Sequence, residues 1–256
     1  MISYTIPVII AIILSGFIME VIDASLGMGY GTVLTPILLM VGFDPYQVVP
    51  AVLISQLIGD WSAVFFHQKF KNIDFMEDDR KALKTATLLG VLSCLGAVLA
   101  VIIVVNISTF FLSLYIGLMV TAIGFVLYWT RNKTYGFSTT KLVIIGFVAA
   151  FNKAMSGGGY GPLVTGGQIL SGVNEKASVA ITSLVEGIIC IVSVLTYLIT
   201  GRVIDWSLTL YLSIAVGLSA PVSAFLISKV ESKRLKLIIS ISTATLGIFT
   251  LIKLFI

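Results

Sequence analysis

Positions 88–130 contain no Asp, Glu, Lys, Arg or His. A transmembrane helix needs about 20 consecutive apolar residues, so this stretch is long enough for two of them. Only 11% of the 256 residues are charged, whereas soluble domains carry about 25%. A transmembrane barrel would instead show short segments of alternating polarity. The chain is therefore predicted to be an all-α polytopic membrane protein.

Ten apolar segments follow one another along the chain. They cover 5–22, 32–43, 46–68, 82–105, 109–130, 141–155, 160–171, 175–200, 207–229 and 235–256. The segments 32–43 and 160–171 are only about twelve residues long, which corresponds to roughly 18 Å of helix. The hydrocarbon core of a bilayer is about 30 Å thick, so straight helices of this length fall short of it. Each of them follows a glycine-rich stretch.

The two glycine-rich stretches belong to an internal repeat. A shift of 130 positions aligns ASLGMGYGTVLT at 24–35 with AMSGGGYGPLVT at 154–165, and six of these positions are identical. The match continues without a gap at Gly42/Gly172, Val49/Val179 and Ile58/Ile188. We therefore predict two homologous repeats, 1–130 and 131–256, within a single transmembrane domain.

The basic residues predict the topology, because Lys and Arg concentrate in cytoplasmic loops. Thirteen of the sixteen lie in 69–84, 131–141 and 229–236 or at Lys176. If the six long segments of the two repeats are complete spans, these loops share one side, which we assign to the cytoplasm. Both termini then lie outside the cytoplasmic (inner) membrane.

This topology makes the two repeats inverted, because each half crosses the membrane an odd net number of times. Each repeat would contain a broken helix hairpin followed by three transmembrane helices. Inverted repeats with short, glycine-interrupted segments are typical of secondary transporters. The hairpins are either re-entrant or complete crossings, and we favour the re-entrant form.

The glycine turns admit two interpretations. Glycines let backbone N–H groups approach a ligand, and the N-terminus of the helix that follows favours an anion. They also allow helices to pack closely. Because the motif occurs in both repeats, we favour a small-oxyanion site between two facing turns. The predicted substrate-binding residues are Ser25, Gly27, Gly29, Tyr30, Gly31, Gln56, Asn152, Lys153, Ser156, Gly157, Gly158, Gly159, Tyr160 and Gly161.

Five ionisable residues lie in or beside the apolar segments, and such residues are functional candidates. They are Glu20, Asp23, Asp60, Lys153 and Glu186. Asp23 and Lys153 are repeat equivalents that flank the turns, so they form either a substrate-gated pair or a structural ion pair. Glu186, the repeat equivalent of Gln56, is either a proton carrier or a neutral core acid.

The proton-coupling candidates are Glu186, Asp23 and Asp60; Asp60 lies one helical turn after Gln56. Gln168 is a further candidate for hydrogen bonding beside the turns. One histidine and two separated cysteines leave no plausible zinc set, so we expect no metal and no cofactor. No motif for an enzyme or for nucleic-acid binding is present, and the net charge of +4 comes mostly from loops.

The motifs SLGMGYG and SGGGYGPLVTGGQILSGVNEKASVAITSLVE resemble the TauE/SafE sulfite-exporter family, also called the 4-toluenesulfonate uptake permease family. The resemblance extends over essentially the whole chain. It implies two homologous halves and secondary transport, usually export with proton coupling, of sulfite or organosulfonate anions such as sulfoacetate. The family's motif residues correspond to 25–31 and 156–161 here. Met28 departs from the pattern, because glycine is frequent at that position in the family.

The sequence pattern predicts a transporter, and the resemblance alone implies its substrate; together they predict a proton-coupled exporter of sulfite or small organosulfonate anions. Its expected partners are the anion and the lipid bilayer. The alternatives are an uptake permease for another small anion, and a membrane enzyme or accessory subunit that acts on sulfur compounds. Direction, stoichiometry and oligomeric state are left open by the sequence.

Overall fold

Ten helices make up the part of the chain that the computed structural model describes. It describes residues 4–26, 29–69, 80–130, 139–170, 175–201, 203–226 and 232–255. The helices are α1 (Ile6–Leu26), α2 (Tyr30–Val41), α3 (Pro45–Lys69), α4 (Arg80–Val104), α5 (Thr109–Thr130), α6 (Thr139–Ser156), α7 (Tyr160–Leu170), α8 (Glu175–Ile199), α9 (Trp206–Leu226) and α10 (Ser232–Leu254). The predicted all-α polytopic class is confirmed.

Four of the helices contain spans that are long and apolar enough to cross a bilayer by themselves. These spans are Ile6–Ala24, Pro45–Phe66, Thr109–Val126 and Ser178–Ile199. Side chains spaced four residues apart along α1 point outward, with 74%, 51%, 55% and 50% of their surface exposed at Ile6, Ile10, Leu14 and Ile18. Such a stripe suits contact with lipid, and the acidic residues Glu20 and Asp23 of the same helix are buried inside the protein.

Both short helices begin just after a glycine, and α2 also ends at one. Gly29 precedes α2 with φ 136°, and Gly42 follows it with φ 113°. The Gly42 N–H donates to the carbonyl oxygens of Leu38 and Leu39, which satisfies two of the last carbonyls of the helix. Gly159, with φ 89°, precedes α7 in the same way. Left-handed backbone of this kind strongly favours glycine, so the glycines explain where both helices are interrupted.

The main helix contacts between the two halves come in related pairs. In each such pair, a helix of one half packs on a helix of the other, and the repeat counterparts of these two helices also pack on each other. α4 packs on α6 and α1 packs on α9, while α3 packs on α9 and α4 packs on α8. α3 also contacts α8, and α5 contacts α10, each helix meeting its counterpart 130 positions away. This pairing supports two related halves. The basic loops that predicted the orientation lie largely outside the described residues, so the inverted topology stays a prediction.

The ends of α1 and α6, which precede the two glycine turns, lie level with the middle of a long helix. Asp23, near the end of α1, bonds Gln56, which is near the middle of α3. Lys153, near the end of α6, bonds Glu186, which is near the middle of α8. The α1 and α6 helices extend past their apolar segments because these polar side chains are buried against other helices. The re-entrant form of the hairpins stays a prediction.

Candidate functional site

The two glycine turns lie against each other inside the protein. A Cβ atom added to Gly31 would lie 1.7 Å from the carbonyl oxygen of Gly157. One added to Gly158 would lie 2.4 Å from the backbone nitrogen of Thr32. Across the same contact, the Gly159 N–H donates a 2.9 Å hydrogen bond to Thr32 Oγ1. The glycines at 31 and 158 therefore let the backbones of the two halves touch.

Replacing Gly31 with alanine is expected to destabilise the protein strongly. The new methyl group would meet the Gly157 carbonyl oxygen, which is backbone and cannot rotate away. We expect a loss of about 3 kcal/mol or more, seen as a lower apparent melting temperature in detergent. Gly217→Ala in α9 is the control, because nothing lies within 4 Å of the added Cβ. Equal melting temperatures for the two variants would contradict this contact.

Three backbone N–H groups at or just before the starts of the two short helices are bonded within the protein. The Tyr30 N–H donates to Asp23 Oδ1 at 3.2 Å, so a carboxylate of the chain itself occupies the N-terminus of α2. The Gly158 N–H donates to Ser156 Oγ at 3.2 Å, and the Gly159 N–H bonds the opposite turn. In this arrangement an anion would reach these N–H groups only by displacing a side chain.

A network of four side chains joins the two halves beside the turns, and we call it the acid–lysine network. Lys153 Nζ donates to Glu186 Oε1 at 2.7 Å and also to Gln56 Oε1. Gln56 Nε2 donates to Asp23 Oδ2 at 3.2 Å. Lys153 is completely buried, and Asp23, Gln56 and Glu186 are each at most 5% exposed. The predicted pairing of Asp23 with Lys153 is thus made through Gln56, and the direct ionic partner of Lys153 is Glu186.

Two further carboxylates lie beside this network. Asp60 is buried, and one of its oxygens lies within 4.8 Å of oxygens of Asp23 and Glu186. Glu20 is buried on α1 and interacts electrostatically with Asp23, Lys153 and Glu186. Within the described part of the chain, Asp60 Oδ2 and Glu20 Oε2 have no hydrogen-bond partner. Four acids therefore face one ammonium group away from water, where uncompensated charge is costly.

The trio Asp23, Asp60 and Glu186 is close enough for one ion to contact an oxygen of each. Carboxylate oxygens are ligands for hard cations such as Ca²⁺ and Mg²⁺. The ammonium of Lys153 already bonds Glu186 in this cluster and supplies positive charge there. An acidic cluster alone does not define a metal site, so we assign none.

The tyrosines of the two glycine motifs are fully buried and bonded through their hydroxyl groups. Tyr30 OH shares a 2.7 Å hydrogen bond with Ser55 Oγ, and Tyr160 OH lies 3.5 Å from Ser93 Oγ. Each side chain reaches from a short helix to a longer one, from α2 to α3 and from α7 to α4. They hold the short helices in place, and nothing exposes them to a ligand in this arrangement.

The remaining predicted residues are distributed around the second turn. Asn152 Oδ1 accepts a hydrogen bond from Tyr115 OH of α5, and its backbone carbonyl accepts one of 2.7 Å from Ser156 Oγ. Both residues are thus engaged within the protein. Gly161 is buried in the first turn of α7. Gly27 and the side chain of Ser25 lie outside the part that the structure describes.

Glu20 is one of the five ionisable candidates, but the sequence pattern assigns it no role in the predicted site. It lies three positions before Asp23, so the two side chains share a face of α1. Its carboxylate packs on α3, where a Cβ added to Gly59 would lie 2.2 Å from Glu20 Oε1. The sequence feature that could have placed Glu20 in the site was the i, i+3 spacing of two acids in an apolar helix.

An all-α membrane fold with a buried charged network between two halves defines a membrane transporter rather than a soluble binding module. The family model described as "Sulfite exporter TauE/SafE" matches residues 12–250. The chain belongs to this family of membrane transporters. Membership of a transporter family is consistent with the prediction that the chain is not an enzyme.

One curated relative has the name "Probable membrane transporter protein YtnM", from Bacillus subtilis (strain 168). It is 25% identical over 228 residues, which cover 84% of this chain and 73% of the relative. No solved structure gives a significant match.

Proposed function

We propose that this protein exports sulfite or a small organosulfonate anion across the cytoplasmic membrane as a proton-coupled secondary transporter. Membership of a family described as sulfite exporters supports the substrate class and the direction. The observation that carries the proposal is the ammonium of Lys153. Among the described residues it is the one basic side chain that is fully buried, and it lies beside the contact of the two turns.

The contacts of Lys153 suggest how the anion and the proton are coupled. Glu186 and Gln56 both accept hydrogen bonds from its ammonium group, so an incoming anion must compete with them. Protonation of Glu186 neutralises the stronger competitor and releases Lys153 for the anion. Asp23 in the network and Asp60 beside it lie close to Glu186 and are the further candidates to accept a proton. Proton binding and anion binding therefore favour each other.

Flux measurements on purified protein in liposomes test this proposal. Labelled sulfite loaded inside should leave faster when the protein is present, and a pH gradient should drive its accumulation on one side. Recovery of unchanged sulfite separates transport from chemical conversion. If sulfite stays in place while a product forms, the enzyme alternative replaces the transport proposal.

A thermal-shift screen narrows the choice of anion. A ligand that binds only the folded protein stabilises it, by about 2.7 kcal/mol at a ligand concentration of 100 times the Kd. Its apparent melting temperature rises as a result. We expect sulfite or sulfoacetate to shift the melting temperature more than taurine or phosphate. A larger shift with phosphate would favour the alternative of a permease for another small anion.

A further inference from the structure

A polar stripe runs along α8 from its N-terminal end to the acid–lysine network. Ser178, Thr182 and Glu186 are spaced four residues apart and share one face of the helix. Ser178 and Thr182 are completely buried. The basic residues predict that this end of α8 lies at the cytoplasmic face. The stripe therefore leads from that face to the carboxylate that holds Lys153.

The short helix α7 adds two polar side chains to this stripe. Thr165 Oγ1 donates to Thr182 Oγ1 at 2.9 Å, and Gln168 Nε2 donates to the same oxygen at 3.0 Å. Thr165 and Gln168 are also completely buried. We call Thr165, Gln168, Ser178 and Thr182 the α7–α8 polar cluster. None of its members is charged.

Three hydrogen-bonding functions of this cluster are unused among the described residues. Thr182 Oγ1 accepts two hydrogen bonds, so its own proton remains to be donated. Ser178 Oγ and Gln168 Oε1 are buried and have no partner. Buried polar groups normally find partners, so these point to a ligand. They offer two hydroxyl donors and one carbonyl acceptor.

The first half of the chain has no such cluster. The positions 130 residues earlier than Gln168, Ser178 and Thr182 are Leu38, Val48 and Val52. All three are apolar and at most 2% exposed. Of the four positions in the cluster, only Thr165 has a polar counterpart in the first half, Thr35. The unused functions of Gln168, Ser178 and Thr182 therefore have no polar counterparts in the first half, although Thr35 Oγ1 is itself buried and without a hydrogen-bond partner among the described residues.

We propose that the α7–α8 polar cluster is a separate binding station for a singly protonated oxyanion, on the way between the cytoplasmic face and Lys153. The two hydroxyl groups donate to the oxygens of the anion, and Gln168 Oε1 accepts its O–H. Hydrogensulfite has this set of acceptors and one donor. Neutral donors bind an anion less strongly than a buried ammonium group does, so the anion can dissociate from the cluster and continue along the path. This inference rests on the proposed function.

The test replaces the polar residues by those of the first half, in Thr182→Val and Gln168→Leu. Initial rates of sulfite transport are measured from each face, with inside-out and right-side-out vesicles at mildly acidic pH. We expect the KM at the cytoplasmic face to rise about tenfold, as for the loss of a hydrogen bond to a charged group. The KM at the outer face should stay unchanged. Thr182→Ser keeps the hydroxyl group and should behave as the wild type.

Ser193→Ala is the matched control, because Ser193 is another buried, unpartnered hydroxyl on α8, seven residues beyond Glu186. An unchanged KM in Thr182→Val, with normal transport by the wild type, overturns the station and leaves the proposed function standing. A changed kcat or pH profile at constant KM identifies a water or proton route and also overturns it. If the wild type carries no sulfite, the proposed function fails and the station with it.

Discussion

Lys153→Ala should weaken sulfite binding at least tenfold and abolish sulfite transport. The variant removes the one fully buried ammonium group among the described residues, which is the charge that an anion between the two turns would meet. Hydrogen bonds to charged groups contribute about 1.5–3 kcal/mol, and about 1.4 kcal/mol corresponds to a factor of ten in affinity. Titration calorimetry in detergent measures the change.

Two companion variants separate binding from folding in this experiment. Lys153→Met retains most of the side-chain volume, so it limits the cavity that alanine leaves in a fully buried site. Lys253→Ala removes a different lysine, whose ammonium donates to the carbonyl oxygens of Leu39 and Met40 at the end of α2. Only the Lys153 variants should lose sulfite affinity. An unchanged Kd for sulfite in folded Lys153→Met would show that Lys153 is not part of the anion-binding site.

Glu186→Gln should abolish accumulation driven by a pH gradient while anion exchange continues. In the wild type, protonation of Glu186 ends its ion pair with Lys153, so anion binding should strengthen as the pH falls. Glutamine is neutral at every pH, so most of this dependence should disappear. Glu20, Asp23 and Asp60 remain in the variant and still compensate the charge of Lys153.

The pH dependence is best measured with methanesulfonate, whose own charge is constant over the relevant range. Asp44→Asn is the control, since Asp44 lies at the start of α3 and accepts the Tyr46 N–H at 2.8 Å, which an asparagine oxygen can also do. That variant should retain both coupling and the pH profile. Proton-driven accumulation by Glu186→Gln would assign the proton to another carboxylate.

The helices and the members of the central network could be predicted from the sequence for a simple reason. Hydropathy is a local property, so uncharged runs such as 88–130 indicate membrane helices without knowledge of their partners. Burying a charged residue inside a membrane costs free energy, so the few that occur in apolar segments are candidates for a functional site. The shift of 130 positions then related Asp23 to Lys153 and Gln56 to Glu186.

Which groups bond each other could not be predicted in this way. The repeat placed Asp23 opposite Lys153, but the lysine reaches across to Glu186, and Gln56 bridges to the aspartate. Side chains on α1, α3, α6 and α8 converge here, and their distances depend on the packing of all four helices. The same packing places Glu20 beside the acid–lysine network.

The sequence by itself determined the membrane-helical class, the short segments beside glycine turns and the small set of buried charges, because each depends on residue type and spacing along one chain. The tertiary structure decided how the turns meet. Gly31 and Gly158 allow direct backbone contact between the halves, and Asp23 occupies the helix end that an anion was expected to find open. These features arise between residues more than 120 positions apart or across a turn, so only the packing of the two halves determines them.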